Sequence, residues 1–148
     1  RSNRSLIAAH FTTSTELMEA FAVLAEWDGT AGIAVKQIDE VMPTLSREVA
    51  NAGHAMLGRL LVLSGSRERA STELAEAESL STDPSGHARI ARDRALLAMT
   101  ERQWSKAEAE LSRVEKTEPQ RGVKLLAQRH QVTQLRATGL GGQAFVIA

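Results

Sequence analysis

Residues 101–119, ERQWSKAEAELSRVEKTEP, place a small residue, Ala107, four positions before Leu111, with Val114 three further on and Pro119 closing the stretch. Spacings of four and three put these side chains on one helical face, and the alanine lets a neighbouring helix approach closely. The pattern occurs twice more. Ala70, Leu74 and Ala77 end near Pro84, and Ala34, Ile38 and Val41 end at Pro43. The three alanines are 36 and 37 residues apart, and a further 37 reaches Ala144. A period of this length, holding two helical patterns each time, is the mark of an α-helical repeat array.

Composition agrees. Alanine, leucine, glutamate and arginine dominate the 148 residues, tyrosine is absent and aromatics make up 3%. Such a chain favours helix and builds its core from small aliphatic side chains. The formal net charge of zero supplies no basic field to hold nucleic acid or an anionic membrane. No apolar run reaches the ~18 residues that a membrane-spanning helix needs. The absence of cysteine excludes disulfides and thiolate metal sites and fits either redox compartment, with the cytoplasm slightly favoured.

Along the chain, residues 1–13 read as an N-terminal segment or the end of a preceding repeat. Residues 14–148 read as one helical-repeat domain with units at about 14–47, 48–84 and 85–119 and a partial unit at 120–148. Thr13 and Glu16 have capping-box spacing and open a helix that Asp28-Gly29 ends. Its partner, from about Thr30 to Met42, turns Ile33, Ala34, Ile38 and Val41 inward. Ser46 caps a third helix that ends at Ser64-Gly65, and a fourth runs to about Leu80. Ser85 is expected to cap the fifth, the sixth runs from Ser105 to about Lys116, and residues 120–137 give a seventh.

These residues resemble the tetratricopeptide repeat, a family of helix–turn–helix units that stack into a right-handed superhelix. The resemblance rests on the small residues Ala22, Gly58 and Ala95, the turn glycines Gly29, Gly65 and Gly139, and the second-helix alanines Ala34, Ala70, Ala107 and Ala144. The departures are specific. Met18, His54 and Ala91 stand where the family carries a large aromatic, Arg102 stands at a turn glycine's place, and the period exceeds the usual 34 residues. A plain alanine-rich helical bundle is the competing architecture.

No catalytic constellation is evident. None of His10, His54, His87 and His130 lies three or four residues from another, so no helix presents a two-histidine metal face. GLGGQAF lacks the lysine of a phosphate loop, and serines at helix starts are explained by capping. The expectation is therefore a protein without enzymatic activity, metal or cofactor. In the family the first helices line a concave groove. Carried over, that geometry puts Glu16, Glu19, Val23 and Glu26 on the groove from the first helix, and Ala55, Arg59 and Val62 from the next. Arg89, Arg92, Leu96 and Met99 would follow, then Arg129, Thr133 and Arg136. The arginines would grip carboxylates of a partner peptide, or else simply be exposed helix residues in weak pairs. Trp27 is a candidate anchor, and Trp104 reads as a wedge between helices.

The resemblance thus implies a scaffold or adaptor that binds another protein or peptide, with ends able to pair with a second copy. Two other classes compete: a sensor module of a larger transcription or signalling protein that binds a peptide or small ligand, and a helical-bundle enzyme domain.

Overall fold

A computed structural model describes residues 3–117, and every regular element among them is helical. The described residues form seven α-helices: α1 (Asn3–His10), α2 (Thr15–Asp28), α3 (Ala31–Val41), α4 (Arg47–Ser64), α5 (Arg67–Leu80), α6 (Pro84–Thr100) and α7 (Trp104–Thr117). A 3-10 turn, Met42–Thr44, joins α3 to α4. The protein is all-α, as its composition and periodicity require. The helix expected over 120–137 lies outside the described residues, and α1 forms from the N-terminal stretch that the sequence left undecided.

Polar side chains cap α2, α4 and α6, though two do so one or two residues earlier or later than their spacing suggests. Ser14, not Thr13, caps α2: its hydroxyl accepts from the Leu17 backbone N–H, while the Thr13 hydroxyl donates to the His10 carbonyl and closes α1. Asp83, not Ser85, caps α6 by accepting from the Gly86 N–H. Pro84 then occupies the first turn, where its missing N–H costs nothing and its fixed φ suits the helix. Ser46 caps α4 as expected.

The same corner is built three times. After α2 the Gly29 N–H bonds to the Glu26 carbonyl and the Thr30 N–H to that of Ala25. After α4 the Gly65 N–H bonds to Val62 and the Ser66 N–H to Leu61; after α6 the Arg102 N–H bonds to Met99 and the Gln103 N–H to Ala98. Each is the paired-bond Schellman closure, which satisfies carbonyls that a helix end leaves orphaned. The residue at its centre is left-handed, with φ of 71° at Gly29, 87° at Gly65 and 58° at Arg102. Arg102 therefore keeps the corner without the glycine that usually makes it cheap. Each corner's last residue then accepts the first bond of the next helix: Thr30 from Ala34, Ser66 from Ala70 and Gln103 from Ala107. The alanines that mark the sequence period thus hold one structural position, the first full turn after a corner.

By its contacts the chain divides after Leu80 into two compact units. In the first, α2, α3 and α5 each pack on α4, and α1 packs on α2. Met18, Ile38, Leu57, Leu60 and Leu74 are fully buried here, and the Phe11 and Phe21 rings stack with centroids 4.1 Å apart. The closest approach is at Gly58, where a Cβ would stand 2.5 Å from Leu74 Cδ2. In the second unit Ala88, Ala91, Ala95, Ala98 and Met99 of α6 form a core with Ala107, Leu111 and Val114 of α7, and Trp104 packs on its edge as a wedge should.

Ile33, expected inward, is 60% exposed. The buried stripe of α3 is Ala31, Ala34, Val35 and Ile38, and at 100° per residue Ile33 falls on the opposite side.

Candidate interaction surface

The outward face of α2 follows from its inward one. Met18, Phe21, Ala22 and Ala25 are buried, so residues about 180° away, Glu16, Val23 and Trp27, face solvent, with Glu19 beside them. Trp27 is 78% and Val23 41% exposed. Glu16 is exposed and Glu19 half-buried. From Glu16 to Trp27 the stripe spans three turns, roughly 16 Å, with carboxylates at its start and an indole at its end. Gly29 ends the helix two residues after the tryptophan, which puts the ring at a rim where no further turn of α2 covers it.

Arg59, which the resemblance puts on the groove, is engaged within the fold. Its Nε donates to Glu26 Oε2 at 2.8 Å and its Nη2 to Glu26 Oε1 at 2.7 Å, tying α4 to α2 through a fork-to-fork pair. With side chains only 12% and 21% exposed, the pair is largely withdrawn from water. Val62, Leu96 and Met99, expected on the groove, are buried. They belong to the packing because α4 and α6 bury more than one narrow stripe. Arg89 and Arg92 lie half-buried on α6 in the second unit. Arg129 and Arg136 lie outside the described residues.

A chain of polar groups on α3, α4 and α5 escaped the sequence reading. Arg69 donates through Nη1 to Asp39 Oδ2 at 2.8 Å and through Nη2 to Asp39 Oδ1 at 2.5 Å. It also stands 3.8 Å from Glu73, whose other oxygen meets His54 Nδ1 at 2.7 Å. The Asp39 hydrogen bond raises the Arg69 pKa above its ordinary value against some desolvation, and the Asp39 and Glu73 charges add to it. A raised basic pKa stabilises the fold below the arginine range and ceases to do so only as pH rises through it. The Arg69–Glu73 spacing of four was a visible signal; Asp39 and His54 come from other helices and had none. At the other end of the unit, Arg4 holds both oxygens of Asp28 at 2.8 Å.

A crevice of about 130 Å³ lies between α1, α2 and α3, lined by Phe21, Leu24, Ala25 and Ala34 among others. It is well below the ~300 Å³ that a drug-sized ligand fills. Among the described residues no group of three or more histidine, aspartate or glutamate side chains is arranged to hold a metal ion, and no helix is long and apolar enough to cross a membrane. Comparison with protein-family models, with curated proteins and with solved structures finds no match in any of the three. The function has to be read from the geometry.

Proposed function

We propose that this protein is a non-catalytic helical-repeat module of the tetratricopeptide type that binds a partner protein or peptide. The observation that carries the reading is the corner built three times, at Gly29, Gly65 and Arg102, each followed at the same step by a buried alanine. Like corners at nearly equal intervals are how a solenoid repeats its geometry, and stacked units expose extended binding surfaces. In this reading the helix pairs stack into a right-handed superhelix. In the first unit the partner engages the outward side chains of α2, Glu19, Val23 and Trp27. Arg59 supports that surface from beneath by fixing Glu26.

The test is capture of partners from a lysate of the source organism by wild type and by a Val23→Ser/Trp27→Ser variant. Both positions are exposed, so the variant should keep its helical circular dichroism. A specific protein held by wild type and lost by the variant is the expected result. Equal capture by both would remove the α2 face from the reading. Small-angle scattering from the full chain tests the superhelix separately, because a stacked array is more elongated than a bundle of the same mass.

A further inference from the structure

Two contacts pin α1 to α2, with a gap between them. Near the start of α1, Arg4 Nη1 donates to both oxygens of Asp28 at 2.8 Å. Just past its end, the Phe11 ring stacks on Phe21. The helix therefore runs antiparallel to α2. Arg4, Ala8 and Phe11 follow one another at spacings of four and three, which is one helical face. The middle residue is where the contact is incomplete. Ala8 is exposed, and it lines the crevice of about 130 Å³ whose other walls include Leu24 and Ala25 of α2 and Ala34 of α3. An apolar cavity of ~150 Å³ is enough to hold benzene, so the gap has room for a large aliphatic side chain where α1 offers a methyl group.

We propose that α1 is the displaceable resident of a helix-binding groove on α2 and α3, whose full occupant is a partner helix carrying a basic residue, a large aliphatic residue four later and an aromatic three after that. Asp28 takes the basic residue, the crevice takes the aliphatic one and the Phe21 ring takes the aromatic. Docking of a helix into a groove is read through anchors at such spacings. The groove lies on the side of α2 that carries Phe21 and Ala25, away from Val23 and Trp27, so it is a second surface beyond the one proposed above. α1 is weakly equipped to hold its place. Its eight residues fall short of the ~12–15 that an isolated helix needs. The Arg4–Asp28 pair, with side chains 57% and 36% exposed, contributes little. What favours α1 is its tether, which gives it a high effective concentration at the groove. It therefore yields only to a helix that also fills the crevice, and in that way it screens partners.

The probe is a fluorescein-labelled peptide of residues 1–13 carrying Ala8→Leu, and its binding to the full chain is read by fluorescence anisotropy. An Arg4→Glu/Phe11→Ala chain, whose own α1 is loosened, should bind it at least tenfold more tightly than wild type does. The same peptide without the substitution should bind the loosened chain about tenfold more weakly, the worth of the carbons that fill the crevice. Placed in the full chain instead, Ala8→Leu should tighten the resident helix. Hydrogen exchange of the α1 amides should then slow about tenfold, and the peptide should bind about tenfold more weakly than to wild type. Val23→Ser/Trp27→Ser should leave peptide binding unchanged. No binding to the loosened chain, equal affinity for wild type and loosened chain, or equal affinity of the two peptides overturns the inference. So does unchanged α1 exchange in the Ala8→Leu chain, a readout that needs neither the peptide nor the loosened variant. Loss of the peptide with Val23→Ser/Trp27→Ser would place it on the outward face, which sinks this inference and leaves the proposed function standing.

Discussion

The hairpins α4–α5 and α6–α7 are two solutions to one packing problem. Each brings a small residue of the first helix against a second helix that starts after a left-handed corner. In α4–α5 the small residue is Gly58, and the missing Cβ lets Leu74 sit where a methyl group would collide with it. In α6–α7 the corresponding residue is Ala95, buried with Ala107 and Leu111 in one cluster. The corners differ in the same sense: glycine at 65, arginine at 102. A hairpin of this shape therefore needs a small side chain at the crossing and a left-handed corner, and it does not need glycine at both. The polar fittings differ as well. His54–Glu73 bridges α4 to α5, whereas the buried Glu110 of α7 is held within its own helix by Arg113 at 3.0 Å.

The comparison breaks most readily at the leucines. Leu74→Ala and Leu111→Ala each empty a buried site and should cost about 3 kcal/mol in urea unfolding. The loss should be larger at Leu74, where Gly58 offers no methyl to fill the space. Equal losses would mean that the glycine does not define the first crossing. Next comes Arg59→Ala, which leaves Glu26 part-buried without its fork and should cost about 2 kcal/mol. Arg69→Ala should cost under ~1 kcal/mol, because Arg69 is 44% exposed.

Gly58→Ala sharpens the contrast. It should destabilise wild type by about 1–2 kcal/mol through overpacking. In a Leu74→Ala background it should instead be neutral or stabilising, since alanine is the better helix former. A double-mutant cycle reads that coupling directly. The corners give the smallest effects. Gly65→Ala should cost about 1 kcal/mol, because only the left-handed backbone resists the methyl group and no atom lies within 4 Å of it. Arg102→Gly should gain about 0.5 kcal/mol, the relief of strain slightly exceeding glycine's entropy cost. A loss at Arg102→Gly would show that the arginine side chain does something that its backbone does not explain.

Most of the local structure was legible. Ser46, Gly29 and Gly65 bound helices as their chemistry requires, and the stripes through Ala34, Ala70 and Ala107 are buried except for Val41, which is half-buried. The errors were local too: at Thr13 and Ser85 a neighbouring side chain had the better reach to the orphan N–H groups. For the candidate surface, exposure at Val23 and Trp27 could be read from the helical period of α2. The role of Arg59 could not, because its partner, Glu26, lies 33 residues away on another helix.

The sequence alone determined what repeats: helix periods, corner positions and the alanine interval, all of which depend on residues within a few turns of one another. Tertiary structure alone decided which charges are spent inside the fold. Arg59 and Arg69 look like any exposed helix residue, and His54 shows no partner, until α2, α3, α4 and α5 are brought together. Pairing of that kind depends on distances between helices, and no spacing within one helix encodes them.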